Sequence, residues 1–298
     1  MRIGIIGVGK VGTSLAQYLI SNGGVISGLY DENKEAAQYG AELTGAPCFD
    51  TIADLVAISD ILFLTVTDDA IETIWKKISS FNLEEKIVCH CSGALSSLVF
   101  AGIQAKGAYG YSVHPAMVIS HHSALSELAQ APFTIEGADT KLTVVSDLFV
   151  AMGNAVHIVT AENKVRYHAA AVFASNFIVA LAEISTNLLA ECGFGELEQQ
   201  LFLPLMQTNL DNIMKNGVSK ALTGPVERGD VATIKKHLSK LTRDEHDIYQ
   251  HLSRKLIEIA KVKNPQKNYD ELTKTLLKNN PSNEEKIRSC KKTVTSCV

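Results

Sequence analysis

The sequence predicts a doubly wound, mainly parallel α/β sheet followed by an all-α C-terminal domain. Three observations predict it. Residues 1–158 alternate short apolar runs with amphipathic segments of helical period. The run Asp60-Ile-Leu-Phe-Leu-Thr-Val66 is continuously apolar, the pattern of a parallel strand covered on both faces. From Ala161 onward strand signals stop and only helical periodicity remains.

The first element is a strand carrying Ile3, Ile5 and Ile6, and it runs straight into a glycine turn. Gly7, Gly9 and Gly12 have the GxGxxG spacing, with Val8, Lys10 and Val11 between them. Gly7 permits the tight turn, Gly9 lets a pyrophosphate approach the backbone, and Gly12 lets the helix pack closely on the strand. Unpaired N–H groups at the helix start then face the phosphates, where the helix dipole favours negative charge. Leu15-Ala-Gln-Tyr-Leu-Ile20 supplies the apolar face of that helix. A second strand, Val25–Tyr30, delivers Asp31 to a strand end, nineteen positions past Gly12. An acid there accepts hydrogen bonds from an adenosine ribose. The segment predicts a dinucleotide site; a glycine-rich turn that binds nothing is the plain structural alternative.

A helix over Asn33–Leu43 and a short strand at Pro47–Phe49 come next. Thr67-Asp68-Asp69 follows the apolar strand and caps a helix through Trp75. Strands are expected at Lys86–His90, ending in Ser92-Gly93-Ala94, and at Tyr109–Val113, ending in His114-Pro115. Ala131–Glu136 and Ala155–Val159 extend the sheet around a helix over Thr140–Met152. Ligands of such sheets collect at the carboxyl ends of the strands. Val66, Thr67, Ser92, Gly93 and His114 fall at those ends.

In the C-terminal half, Glu162–Glu191 is expected as one helix, about 45 Å long at ~1.5 Å per residue, closed by Cys192-Gly193. Its middle is apolar around much of its circumference, so it must be buried on several sides, either in its own domain or against a second subunit; a homodimer through the helical domain is expected. Further helices are expected near Glu196–Lys215, Asp230–Lys240, Arg243–Lys261 and Tyr269–Leu277. The domains are therefore 1–158 for the nucleotide, 159–263 for substrate and dimerisation, and 264–298 as a polar, partly disordered tail.

Composition excludes several classes. The 298 residues are 46% hydrophobic and 20% charged, with a formal net charge of −4, so no basic stripe suggests nucleic acid. The apolar run Ala169–Ala182 is shorter than the ~20 residues that span a bilayer, and Met1 leads directly into a strand without a signal segment. A cytoplasmic enzyme is expected. The six cysteines make no disulfide framework. In Cys89-His90-Cys91 the alternation of a strand turns His90 away from both thiols, so no metal is expected.

Reducing a carbonyl needs a proton donor or a cation for the developing oxyanion. At 100° per residue, His168 lies about 40° and Ser175 about 20° from Lys164 around the long helix, and Asn176 near 120°. Lys164, His168 and Ser175 thus make a polar stripe suited to a cleft, the alternative being an exposed lysine and a core histidine. In Thr223-Gly-Pro-Val-Glu-Arg-Gly-Asp230, Asp230 is placed to N-cap the next helix. Arg228 there is either an ordinary loop residue or a planar fork for a substrate carboxylate. Asp31 would repel a 2′-phosphate, while Lys34 stands close enough to contact one; the balance favours NAD over NADP. His121, His122, His157, His237, His246 and His251 are expected to be surface or packing residues.

The layout resembles the superfamily of 6-phosphogluconate dehydrogenase, 3-hydroxyisobutyrate dehydrogenase, ketopantoate reductase and pyrroline-5-carboxylate reductase. Its hydroxyacid members open the long helix with a proton-transferring Lys, followed one turn later by Asn; here Lys164 matches the Lys and His168 stands in the Asn position. Four segments are similar to a Rossmann-like family with a C-terminal domain of unknown function, DUF2520. They are His90-Cys-Ser-Gly-Ala-Leu95, Val113-His-Pro115, Tyr167-His-Ala-Ala-Ala171 with Ala174-Ser-Asn176, and Ala221-Leu-Thr-Gly-Pro-Val-Glu-Arg-Gly-Asp230. The resemblance implies an NAD(P)-dependent reductase and no particular substrate.

The expected function is hydride transfer to a small carboxylate-bearing 2-oxo acid of the ketopantoate kind. Lys164 and His168 are the expected catalytic pair, and Ser92, Gly93, His114, Asn176 and Arg228 the substrate contacts. Two alternatives stay open: a nucleotide-responsive sensor without turnover, and an imino-acid reductase of the pyrroline-5-carboxylate kind that dispenses with the lysine.

Overall fold

In the computed structural model, residues 1–122, 124–195 and 201–277 are described. Seven strands form one sheet: β1 (Arg2–Ile6), β2 (Val25–Tyr30), β3 (Ile61–Leu64), β4 (Ile87–His90), β5 (Tyr109–Pro115), β6 (Phe133–Gly137) and β7 (Val156–Ile158). Their order is β2-β1-β3-β4-β5-β6-β7. Neighbours from β2 to β5 are parallel, β6 runs antiparallel to β5, and β7 is parallel to β6. The chain leaves β1 for β2 on one side and returns to β3 on the other, so the direction of winding switches beside β1. The crevice of a doubly wound sheet opens at such a switch. The expected strand at Pro47–Phe49 is reduced to a single bridge between Cys48 and Leu29.

Alternation along the strands sorts the core into two layers. Ile5, Phe63, Cys89 and Tyr111 face α1 (Lys10–Ser21), α5 (Leu125–Gln130) and α6 (Leu142–Val150). Ile6, Leu62, Leu64 and Val88 face α3 (Ile52–Ile58) and α4 (Asp68–Ile78), where Trp75 packs on Phe100 at 5.3 Å between ring centroids. Each fully buried Leu, Ile or Phe here stabilises the fold by roughly 1.5–3 kcal/mol. The same alternation puts His90 against Phe100 and the thiols of Cys89 and Cys91 in the opposite layer. α2 (Lys34–Thr44) begins where Asn33 Oδ1 accepts the N–H groups of Glu35 and Ala36.

The helix expected over Glu162–Glu191 is two helices, α7 (Lys164–Ala174) and α8 (Asn176–Glu191). Ser175, between them, has φ −130° and ψ −73°. Its hydroxyl donates back to Ala171 O at 2.7 Å, a four-residue back-bond that bends helices. The run Ala161–Glu191 is, by length and composition, a candidate to cross a membrane. Its first turn is nevertheless tied into the sheet through Lys164, and α8 alone has 16 residues, short of the ~20 a span needs.

Two compact units result, Met1–Ile178 and Val179–Val298. The division falls after Ile178 rather than after 158, because bonds from Lys164 to β5 and to the loop after β4 attach α7 to the sheet. The second unit contains α9 (Leu203–Asn216), α10 (Val218–Ala221), α11 (Pro225–Arg228), α12 (Val231–Leu238), α13 (Arg243–Lys263) and α14 (Asp270–Leu277). Val226, Ile234, Ile257 and Ala260 share a core with Tyr269, Leu272 and Leu276. The helical core therefore runs beyond the expected boundary at 263. Residues 196–200 of the helix expected at Glu196–Lys215, and the tail Asn279–Val298, lie outside the described residues.

Candidate active site

The glycine turn has the geometry a dinucleotide requires. Gly7 has φ +96°, and its N–H donates to Tyr30 O at 2.8 Å; an L side chain there would be strained. A Cβ on Gly12 would strike Gly7 O and Thr65 Oγ1, whereas a Cβ on Gly9 would meet nothing within 4 Å. The second glycine therefore leaves open room for a ligand, and the third is demanded by packing. Thr65 pins the turn by donating to Gly7 O at 2.6 Å. Gly7, Gly9, Tyr30, Asp31, Glu32, Thr65, Val66 and Thr67 line a cleft of about 340 Å³ at the sheet's switch point. Lys10 is exposed, Val11 half-buried and Val8 buried. Thr67 stands at the N-cap of α4, but its hydroxyl makes no capping bond.

Asp31 does more than await a ribose. Its Oδ2 accepts the Val8 N–H at 2.6 Å and its Oδ1 the Asn33 N–H at 2.8 Å. The carboxylate thus braces the glycine turn against the start of α2. Lys34 is paired with Asp50 at 3.1 Å, and Lys77 with Glu32 at 3.7 Å. These surface pairs are weak, yet they place acidic groups around the ribose end of the cleft.

At the next strand ends, the loop after β4 is a knot centred on Ser92. Its hydroxyl donates to Asp68 Oδ2 at 2.8 Å and accepts the N–H groups of Ala94 and Leu95. Its carbonyl accepts from Lys164 Nζ and from Ser112 Oγ, both at 3.1 Å. Ser92 is thereby committed to its own loop rather than to a ligand. The adjacent Gly93 N–H has no backbone partner among the described residues.

Lys164 is 1% exposed, and its ammonium also donates to Ser112 Oγ at 2.7 Å. Burial lowers its pKa to about 8, against the pull of the Glu136, Asp68 and Cys91 side chains. The lysine is charged at neutral pH yet easily discharged. Glu136 is itself buried, accepting from Ser97 N at 2.6 Å and from the Ser96 and Ser97 hydroxyls. Burial pushes the Cys91 thiol up to about 12, so it remains an inert, protonated packing group.

His114, at the end of β5, meets α7. Its Nδ1 lies 2.8 Å from Tyr167 Oη. Burial, with Lys164 nearby, lowers its pKa to about 4, so the ring is neutral. His168 stands edge-on to it, 6.4 Å between centroids, and the His168 Nδ1 is buried without a hydrogen-bond partner. A Cβ on Gly93 would lie 2.6 Å from His168 Nδ1 and 2.9 Å from His114 Nε2. Gly93 is therefore packed against the His114 and His168 rings, with no room for a side chain at residue 93.

Of the residues singled out in the sequence, the first unit brings together Ser92, Gly93, His114, Lys164 and His168. Asn176 is exposed at the start of α8 and accepts from the Ser175 hydroxyl at 3.0 Å. The expected stripe ends before Ser175, whose hydroxyl is spent on the helix break. Arg228 belongs to the second unit, exposed at the end of α11, and makes no side-chain hydrogen bond or ion pair among the described residues. Its loop is rigidly held. Tyr269 Oη donates to Glu227 O at 2.7 Å, Asn264 Nδ2 donates to Glu227 Oε1 at 2.7 Å, and Asp230 caps α12 through the Thr233 N–H. Sequence reasoning missed Asp68, Ser112 and Tyr167. Tyr167 had two signals, its place at the head of the family-like segment Tyr167-His-Ala-Ala-Ala171 and its position three residues from Lys164 on the same helix face.

Residues 1–115 match the Rossmann-like domain, and residues 131–256 match the domain of unknown function DUF2520. The chain is a Rossmann-like, DUF2520-containing protein. The DUF2520 segment spans β6 to α13 and so includes Lys164, Tyr167, His168 and Arg228. No curated protein matches the chain. Among solved structures, a candidate NADP oxidoreductase from Bacteroides fragilis superposes with a TM-score of 0.72 at 24% identity, over 86% of this chain and 98% of its own. Protein TM1727 from Thermotoga maritima gives 0.70 at 28%, over 87% and 98%. A pyrroline carboxylate reductase from Plasmodium falciparum, solved with NADP bound, gives 0.58 at 14%, over 87% and 95%.

Proposed function

We propose that this protein is an NAD(P)-dependent reductase of a small carboxylate-bearing 2-oxo or imino acid. The observation that carries the reading is the placement, along one strand-end edge, of an open glycine cradle and a buried ammonium bonded to Ser92 and Ser112. The nicotinamide, when bound, supplies the hydride. Gly7 to Gly12 would hold the pyrophosphate, Asp31 the ribose, and Val66 and Thr67 the edge of the cleft. Lys164 puts positive charge behind Ser92–Gly93, where it favours negative charge developing on a substrate oxygen. His114, His168 and the Gly93 N–H would contact the reacting group. Arg228, rigidly presented beside Glu227 and Asp230, suits a carboxylate. Asn176 would contribute only from the exposed end of α8.

A ketopantoate-like 2-oxo acid is the concrete substrate we favour, because an oxygen anion is what a buried ammonium stabilises. The fold shared with a pyrroline carboxylate reductase supports the imino alternative. A protonated imine brings its own proton and needs less from Lys164. Asp31 and Glu32, with Lys34 and Lys77 already paired, favour NAD; the two neighbours described with NADP argue the other way. The deciding experiment follows nicotinamide absorbance with NADH and NADPH against a panel of 2-oxo and imino acids. Oxidation by a 2-oxo acid supports the main reading, oxidation by a cyclic imine the second, and by none the sensor.

The same reading makes the protein a soluble homodimer. In the second unit, Val179 (71% exposed), Leu205 and Met214 leave apolar surface uncovered along α8 and α9. Such a surface marks a binding face, and a second copy covers like with like about a two-fold axis. Light scattering on the eluted protein checks the mass.

A further inference from the structure

Tyr167 sits where the chain gains nothing obvious from a phenol. Its ring lies 5.6 Å from Lys164 Nζ, and its oxygen 2.8 Å from His114 Nδ1. Burial raises the phenol's pKa, and Thr134, whose hydroxyl donates to His114 O at 3.5 Å, lowers it. The phenol keeps its proton. Phenol is the stronger acid and imidazole the stronger base, so the hydroxyl donates. A neutral imidazole that accepts at Nδ1 carries its hydrogen on Nε2. Nε2 is the His114 atom nearest Gly93, and the unpartnered His168 Nδ1 lies against the same glycine.

We propose that Tyr167 is a positioning residue: it fixes the orientation and tautomer of His114 so that the ring carries its hydrogen on Nε2, on the side of Gly93, and donates it to the carbonyl oxygen of the bound 2-oxo acid. The assignment rests on the reductase reading for the identity of that oxygen, but not for the hydrogen bond itself. His114 acts as a neutral donor, and its charge state does not change over the working pH. Glycine at position 93 is demanded by packing, because a methyl there would collide with both His114 Nε2 and His168 Nδ1.

The test is nuclear magnetic resonance on protein with ¹⁵N-labelled histidine, using two-bond proton–nitrogen correlations, with His114→Ala to identify the ring. In the wild type, His114 is expected as the Nε2–H tautomer with a hydrogen-bonded, unprotonated Nδ1. In Tyr167→Phe, the Nδ1 signal loses its hydrogen-bond shift and the second tautomer appears, while the His90 ring signals stay in place. Preserved His90 signals show that the sheet is folded. With a turned-over substrate, Tyr167→Phe lowers kcat by about 10-fold or more while KM moves less, as expected for a misdirected group. A proton on Nδ1 in the wild type, or ring signals unmoved by Tyr167→Phe, overturns the proposal. So does a Tyr167→Phe enzyme with an altered tautomer and unchanged kcat. If the wild type turns over nothing, the reductase reading falls, and the tautomer measurement still decides the Tyr167–His114 assignment.

Discussion

Ser112 Oγ and Lys164 Nζ lie 2.7 Å apart, and both donate to the same carbonyl oxygen, that of Ser92. The serine oxygen accepts from the ammonium and passes its own proton to the carbonyl, closing a triangle in the protein interior. Charge-assisted hydrogen bonds of this kind offset part of the cost of desolvating the cation, and the lowered pKa shows the remainder.

Reductase activity should fall as pH rises through about 8, where the buried ammonium of Lys164 loses its proton. His114, neutral above about pH 4, adds no limb in the neutral range. A pH–rate profile of kcat/KM measures this directly; a profile flat through pH 8 removes the lysine from the chemistry.

Stability carries the opposite trend. The folded-state pKa of Lys164 is about 8, against an ordinary 10.5. Between these values the unfolded chain holds the extra proton, so the lysine's contribution becomes more favourable as pH rises across that window. Below pH 8 both states are charged and the contribution is level. Urea midpoints of wild type and Lys164→Met should therefore diverge in favour of wild type from pH 8 to 10.5.

Gly9→Ala and Gly12→Ala separate cofactor approach from packing. A methyl at Gly9 touches no protein atom, so stability should hold while NADH affinity drops about 10-fold or more, roughly 1.4 kcal/mol. A methyl at Gly12 collides with Gly7 O and should cost about 1–3 kcal/mol of stability. Calorimetric binding and thermal melts on the two variants should give opposite patterns.

Asp31→Ala leaves the buried-side Val8 N–H without its acceptor, at a cost of about 1–3 kcal/mol. Asp31→Ser should raise the NADPH-to-NADH ratio of kcat/KM by removing the charge that opposes a 2′-phosphate. A ratio that falls instead would show that the acid only braces the turn.

Arg228→Lys should leave the melting temperature unchanged, because the guanidinium makes no bond in the described structure. If it binds a carboxylate in bidentate fashion, KM should rise about 10-fold. An unchanged KM returns Arg228 to an ordinary loop role.

What the sequence revealed followed the range of each interaction. The strands, the glycine turn, the Asn33 cap and the Asp230 cap depend on residues within a few positions of one another, and periodicity exposes them. α3, seven residues long, is too short for a helical repeat to stand out. The break at Ser175 comes from one side chain competing for backbone, which leaves the apolar pattern on both sides intact. Asp68 meets Ser92 across 24 positions, and Ser112 meets Lys164 across 52. No local pattern encodes such pairings. Lys164 and His168 stood out because a polar residue on an oily helix needs a partner; which partner was a matter of tertiary structure.

Trp75 is the protein's sole tryptophan. It is 3% exposed, with its indole N–H donating to Ala101 O at 3.1 Å. Intrinsic emission excited at the indole therefore monitors the sheet unit alone and is blind to loss of the helical unit. Ultraviolet dichroism, dominated by helices, weighs both. A gap between the two melting curves would thus measure how independently the two halves come apart.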